Sequence, residues 1–222
     1  MSETLPLFPL GTVLYPGLLL PLHVFEERYR QLVRDLLAGP EPRTFGVIAI
    51  REGRETGPDG ILTLYEVGCT ATVRQATELD DGRYDLVTVG TQRFLLASTD
   101  DTEPYLQGEV ELLAEETGDE TGAAMAARSV QDAFRTYLGA LAERGVTQVS
   151  VPGLPDDPIL LSYLVAASMI IDLPDKQVLL AEPDALHRLV TERMLLSRET
   201  TMLRTLTATP APDLRNSPYS SN

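Results

Sequence analysis

The sequence predicts an α+β protein whose first half consists mainly of strands and whose second half is helical. Short β-type runs separated by Gly, Pro and Asp occupy residues 5 to about 115, and helical spacing of apolar residues runs from about 120 to 206. An acidic, glycine-containing stretch separates the two. We therefore expect a β-rich subdomain over residues 1–116 and a helical bundle subdomain over 117–206.

The first half begins with a segment that should be an edge strand at most. Pro6 and Pro9 interrupt residues 5–10, and proline cannot donate to a strand ladder. The later runs are joined by turn residues, including Asp80–Arg83 as a hairpin turn. About six short strands with frequent turns are typical of a small barrel or sandwich. Strands are expected at residues 12–15, 45–50, 61–73 (one bent strand or two), 71–79, 84–89, 93–98 and 105–113, and residues 18–22 form another apolar run.

One helix, over about residues 25–38, interrupts the strands. Phe25, Tyr29, Leu32 and Val33 fall on one helical face, and we expect this face to pack on the sheet. Charged residues occupy the opposite face. Gly39 followed by proline ends the helix in the order that a helix C-terminus prefers.

The second half should contain four further helices. An amphipathic helix ends near Gly145, and Asp157 followed by proline is a strong N-cap for a helix over 158–171. A short helix follows over 172–180, and the last begins near Asp184. Its inward residues are expected to be Leu186, Leu189, Val190 and Leu196. The tail, residues 207–222, holds little to bury and should be disordered.

Charge and composition exclude several classes of function. The net charge is −15, so nucleic acid and anionic membranes should repel the chain. Cys69 is the single cysteine, which leaves no disulfide and no cysteine metal cluster. The N-terminus lacks a basic signal region, and the longest apolar run, residues 159–171, is shorter than a membrane span needs. We expect a cytoplasmic protein with no membrane partner.

No catalytic motif is found in the sequence. The phosphate-binding loop, the Gly-x-Gly-x-x-Gly fingerprint and the Gly-x-Ser-x-Gly elbow are all absent. His23 and His187 lie in different halves, and Lys176 is expected to be a solvated charge rather than part of a Ser–Lys dyad. The sequence therefore predicts no catalytic residue, no metal site and no cofactor.

The opening of the chain carries a family resemblance. Residues 5–17, followed by 20–30, look like the start of the Lon N-terminal, substrate-binding domain, especially as it occurs in stand-alone bacterial Lon-domain proteins. Shorter matches follow in order at residues 45–47, 67–71, 81–84, 89–94, 104–106, 175–180 and 188–189. The resemblance implies a PUA-like β pseudo-barrel followed by a helical bundle. Because the sequence lacks a Walker loop, a Lon label would describe ancestry and not protease activity.

The resemblance also implies a non-catalytic module for polypeptide recognition, or an adaptor. Its partner would be an unfolded or specific client polypeptide, with a protease or chaperone as a second partner. Tyr15 in the Pro-Gly loop, and Glu26 and Arg28 near the first helix, are the expected contacts. The alternative is a small-molecule-binding PUA-like module with an apolar pocket where barrel meets bundle. An RNA-binding version is disfavoured by the net charge of −15.

Overall fold

The computed structural model describes residues 2–53, 63–102, 104–146 and 153–205. The strands are β1 (Ser2–Leu10), β2 (Leu19–Val24), β3 (Thr44–Glu52), β4 (Thr63–Leu64), β5 (Val67–Glu78), β6 (Tyr84–Asp100) and β7 (Gln107–Leu112). The helices are α1 (Glu27–Ala38), α2 (Glu120–Glu143), α3 (Pro158–Ser168), α4 (Leu173–Ala181) and α5 (Ala185–Thr205). This order confirms the α+β class with C-terminal helices. The tail predicted to be disordered, residues 207–222, lies outside the described residues, and the subdomain boundary after residue 116 stays a prediction.

Five strands of the sheet close into a ring. β1 pairs in parallel with β3 and antiparallel with β7, and the β3–β5, β5–β6 and β6–β7 pairs complete the circuit. Leu7, Ile48, Phe94 and Val110, from four of these strands, form a buried cluster. Gly68 makes room for it, because a Cβ atom there would lie 2.3 Å from the Phe94 ring. The ring confirms the predicted pseudo-barrel.

β1 is longer and better paired than its prolines suggested. Residues 2–6 pair with β7, and residues 7–10 pair with β3. Each half of β1 thus pairs with a strand on one side only. A proline whose nitrogen faces the other side removes no hydrogen bond between strands. The short strand predicted over residues 12–15 is wrong: these residues carry Val13 and Tyr15 across to the helical core.

β6 is a single strand where the sequence suggested two strands separated at Gly90. A Cβ atom at Gly90 would lie 2.3 Å from the Tyr15 carbonyl oxygen. The Gly90 amide also donates to the Leu18 carbonyl at 2.9 Å. Glycine is needed here because the β1–β2 connection approaches the strand closely, and not because the chain turns.

The helices form the second core of the molecule. Asp157 accepts a hydrogen bond from the Leu160 amide and caps α3, as predicted. Asp172 accepts from the Asp175 amide and caps α4 in the same way. α2 and α5 run parallel: the Ala185 amide bonds to the residue 116 carbonyl at one end, and residues 144 and 203 are bonded at the other. None of the described helices is long and apolar enough to span a membrane.

The inward face of α5 differs from the prediction at one position. Leu189 and Leu196 are fully buried as expected, but Val190 is 49 % exposed. Arg188 and Glu192 are buried instead. The helix is rotated so that these two polar side chains face the interior, where Arg188 bonds to groups of α3 and α4.

A layer of polar and aromatic side chains joins the barrel to the helices. We term it the junction; it consists of Tyr15, Arg93, Glu115, Tyr163, Arg188 and Glu192. Arg93 of β6 donates to the carbonyls of residues 180, 182 and 183 at the end of α4. The last carbonyls of a helix have no donor within the helix. The Arg93 guanidinium therefore caps α4 and attaches it to the barrel.

Candidate functional site

Tyr15, predicted to contact a partner, is buried in the junction. Its side chain is 1 % exposed, and its hydroxyl donates to the Lys176 carbonyl at 2.9 Å. Burial, reinforced by the nearby carboxyl of Glu192, raises the pKa of this phenol. The Pro16-Gly17 turn returns the chain to the sheet, so the ring fills the space between sheet and helices. Tyr15 connects the two halves and presents no surface to a partner in this structure.

Arg188 is fully buried and its donors are engaged within the junction. It donates to the α4 backbone, to the Ser162 hydroxyl and to the Tyr163 hydroxyl, and its guanidinium lies 4.0 Å from the Tyr163 ring centroid. The Tyr163 hydroxyl donates to Glu115, which also accepts from Arg93 at 2.8 Å. The donors of Arg93 and Arg188 are thus used by groups inside the protein, so both arginines have a structural role.

Glu192 differs from the other junction residues. It is completely buried, and neither of its carboxylate oxygens has a hydrogen-bond partner among the described residues. Burial raises its pKa well above the ordinary value, although the charge of Arg188 opposes this shift. The junction therefore favours the neutral form of this acid.

Glu26 and Arg28, the other two predicted contacts, lie together where β2 ends and α1 begins. The Glu26 carboxylate is 3.0 Å from the Arg28 guanidinium, and that guanidinium lies 4.6 Å from the Tyr29 ring centroid. Both charged side chains are partly exposed. We term residues 21–28 the β2–α1 corner.

The corner borders a pocket with an apolar floor. Its volume is about 160 Å³, and its lining residues are Phe8, Leu10, Pro21, Leu22, His23, Val24, Phe25, Glu26 and Tyr29. Phe8 and Tyr29 are buried and stacked, with ring centroids 4.1 Å apart. Phe25 is 53 % exposed at the rim. The prediction that Phe25 packs on the sheet from α1 is wrong, because Glu26 is still extended and the helix begins at Glu27.

One backbone edge of the corner is open. Among the described residues, β2 pairs only with β6. The Gly90 amide donates to the Leu18 carbonyl, so residue 18 directs its backbone groups toward β6. In an antiparallel pair every second residue does the same, and the residues between them direct their backbone groups to the other side. Leu19, Pro21 and His23 therefore direct their backbone groups away from β6. Proline at the middle position removes one amide hydrogen and so limits indiscriminate strand addition.

His23 is held by its neighbours at the edge of the corner. Its Nδ1 lies 2.6 Å from the Asp85 carboxylate, and Arg83 donates to its Nε2 at 3.1 Å. The His23 and Phe25 rings have centroids 6.3 Å apart. Within the part of the chain that the structure describes, no group of three or more His, Cys, Asp or Glu could hold a metal ion. The corner offers aromatic surface, charged groups and free backbone, which suit binding.

The sequence reasoning identified the corner through Glu26 and Arg28 but missed Phe25 and the strand edge. The spacing of Phe25 and Tyr29 fits a helix and therefore predicts that Phe25 lies on the helical face. The two glutamates that directly follow Phe25 are a signal that could have placed the helix start after it, because acidic residues favour the first turn.

Comparison with protein families matches residues 4–198 to the ATP-dependent protease La (LON) substrate-binding domain. The Lon protease of Azorhizobium caulinodans is 26 % identical over 205 residues, and Lon protease 1 of Herpetosiphon aurantiacus is 30 % identical over 202 residues. These alignments cover 92 % and 88 % of the chain and 24 % of each relative. The chain thus spans about a quarter of the length of these relatives.

Solved structures show the same architecture. The Lon N-terminal domain protein from Xanthomonas campestris superimposes with a TM-score of 0.59 at 26 % identity, over 88 % of this chain and 98 % of that one. The N-terminal domain of the Mycobacterium avium complex Lon protease gives a TM-score of 0.64 at 18 % identity, over 90 % and 98 % of the two chains. The second similarity concerns the fold alone.

Proposed function

The chain belongs to the Lon substrate-binding domain family, and from this premise we propose that it recognises polypeptide segments at the β2–α1 corner. The occupant is a short apolar segment of an unfolded or partly folded client protein. The observation that carries the proposal is Phe25, which is 53 % exposed beside an apolar pocket at an open strand edge.

The corner has the features that a polypeptide ligand needs. Exposed aromatic side chains provide large contact area at low entropic cost, and they dominate many protein interfaces. The open side of β2 offers backbone donors and acceptors to an extended segment. The pocket beneath Phe25 holds about 160 Å³, which is below the ~300–1,000 Å³ typical of small-molecule sites. A single client side chain fits this space better than a whole metabolite.

The small-molecule alternative requires a cavity where the sheet meets the helices. Tyr15, Tyr163 and Arg188 are buried at that position and bonded to their surroundings. The net charge of −15 continues to weigh against an RNA ligand. Neither observation favours the alternative over polypeptide recognition.

The proposed role is non-catalytic. Its contribution is to hold a client, and a separate protease or chaperone would act on that client. In this adaptor role the corner binds the client, and a different surface binds the second partner.

The test is fluorescence anisotropy with a labelled, permanently unfolded polypeptide, titrated with the full chain at low and high salt. We expect saturable binding that survives high salt, because the main contact is apolar. Phe25→Ser should weaken binding about tenfold, a loss of about 1.4 kcal/mol. Val178→Ser is the matched control, because Val178 is 51 % exposed on α4, away from the corner.

The outcome is decided by the difference between the two variants. Weakening by Phe25→Ser alone supports the corner as the binding site. Equal weakening by both variants would mean nonspecific apolar adhesion, and an absence of saturable binding by the parent chain would overturn the proposal.

A further inference from the structure

The outward face of α5 carries a column of side chains that the helical core does not use. Val190, Met194, Ser197 and Thr201 follow one another at spacings of four, three and four residues, which places them on one face of a helix. Met194 is 61 % exposed and Val190 is 49 % exposed. This column lies opposite the buried residues of α5.

A groove runs along the α2 side of this column. It has a volume of about 260 Å³, and its lining residues are Ala133, Thr136, Arg193, Leu196, Ser197, Thr200, Thr201 and Arg204. We term it the α5 groove. Four of these residues carry hydroxyl groups and two carry guanidinium groups, whereas none carries a carboxylate. A groove free of acidic side chains is unexpected on a protein with a net charge of −15.

Arg193 and Arg204 are exposed, and neither forms an ion pair within the described residues. Two acidic residues of α5 and α2 form ion pairs with other arginines. Glu199 pairs with Arg198, and Asp132 of α2 pairs with its helix neighbour three residues on. Glu192 is buried and faces the junction. The two guanidinium groups are therefore available to a ligand.

The arrangement of the groove matches an anionic chain. Arginine binds carboxylates through two parallel hydrogen bonds. The hydroxyls of Thr136 and Thr201 donate to backbone carbonyls of their own helices, whereas Ser197 is exposed and its hydroxyl can donate to a ligand oxygen. The two arginines are eleven residues apart on α5, so their Cα atoms are separated by about 16 Å along the helix axis. In an extended segment, acidic residues four positions apart lie on one face about 13 Å from each other, and the long arginine side chains span the remaining distance.

From these observations we infer that the α5 groove docks an acidic segment of a partner polypeptide, with one carboxylate bound by each arginine. The groove shares no residue with the β2–α1 corner. A client at the corner and an acidic partner at the groove would occupy separate surfaces of one molecule. The inference goes beyond client recognition, and it does not require the corner to bind anything.

The test uses the full chain and a labelled peptide with two glutamates four positions apart in an Ala/Ser background. A second peptide carries lysines at the same positions. We expect saturable binding of the glutamate peptide that weakens as salt rises, because the contacts are ionic and exposed. The lysine peptide should not bind.

Two double variants locate the site. R193Q/R204Q removes both groove arginines, and R51Q/R74Q removes two exposed arginines of the barrel with the same change in net charge. Glutamine is a good helix former, so the change on α5 should leave the fold intact, and matching thermal midpoints would verify this. The groove variant should lose about tenfold in affinity and the barrel variant less than about twofold.

Three results would overturn the inference. They are an absence of saturable binding by the glutamate peptide, equal binding of the lysine peptide, and equal loss of affinity in both double variants. The last result would indicate a response to overall charge. Because the unfolded-polypeptide titration tests the corner separately, failure here leaves that proposal standing.

Discussion

The junction and the β2–α1 corner contain the same kinds of side chains in opposite surroundings. In the junction, Arg188 lies over the Tyr163 ring at 4.0 Å and is completely buried. At the corner, Arg28 lies over the Tyr29 ring at 4.6 Å and is partly exposed. Residue type therefore does not distinguish a structural site from a binding site in this chain. Exposure does.

The energetic consequences follow from that difference. Removing one partner of a buried charged pair leaves the other uncompensated and costs several kcal/mol. An exposed pair such as Glu26–Arg28 contributes about 0–1 kcal/mol. Changes in the junction should therefore affect folding, and changes at the corner should affect binding with little effect on folding.

The largest expected effect is that of Arg93→Met. It would leave Glu115 without its guanidinium partner and the end of α4 without its cap. The free energy of unfolding, measured by urea denaturation, should fall by about 3–5 kcal/mol. Arg74→Met, at an exposed position of β5, should change it by less than about 0.5 kcal/mol. Similar losses for the two variants would contradict the structural role of Arg93.

The second prediction concerns pH and Glu192. Its folded-state pKa is raised, so the folded state binds the proton more tightly than the unfolded chain does. The stabilisation is complete below the unfolded pKa of about 4.3 and is lost as pH rises toward the folded value. Within that window the parent should lose about 1.4 kcal/mol per pH unit relative to Glu192→Gln. Parallel stability profiles of the two proteins as pH rises above about 4.3 would refute this linkage.

A smaller effect is expected at Gly90, where the barrel approaches Tyr15. Gly90→Ala would place a Cβ atom 2.3 Å from a backbone oxygen, so one of the two segments must move. We expect a loss of about 1–3 kcal/mol in urea denaturation. Gly139→Ala in α2 meets no atom within 4 Å and should instead stabilise the protein by about 0.5–1 kcal/mol. Loss of stability in both variants would show that the close approach is not the cause.

The smallest effect on stability is expected at the corner. Phe25→Ala should change the free energy of unfolding by less than about 0.5 kcal/mol, since the ring is more than half exposed. Tyr15→Ala removes a buried ring and should cost about 3 kcal/mol or more. Differential scanning calorimetry of the two variants checks the contrast. Equal shifts in the thermal midpoint would mean that Phe25 is packed more tightly than its exposure indicates.

The features of the fold that could be predicted from the sequence are those that depend on residues close together in the chain. The caps at Asp157 and Asp172 and the end of α1 at Gly39 depend on residues within a turn of each other. They were predictable for that reason. The separation of strand-like runs from helical runs along the chain likewise predicted the α+β class.

Features set by distant neighbours were not predictable from spacing. From the sequence alone Gly90 suggests a turn, whereas in the structure it gives room to the Tyr15 backbone. The spacing of Val190 suggests a buried position, but the structure buries Arg188 and Glu192 instead. The Pro-Gly turn beside Tyr15 likewise suggests an exposed loop, whereas contacts with distant residues bury its ring. In each case the deciding contact lies more than 70 residues away or on another element.

The central claim is that the corner, and not the junction, receives the client. Amide hydrogen exchange of the full chain, followed by NMR with and without an unfolded polypeptide, tests it most directly. We predict slower exchange at Leu19 and His23, whose amides lie on the open edge of β2, and unchanged exchange around Arg93 and Arg188. Unchanged exchange at the β2 edge, with new protection at the junction, would contradict the account.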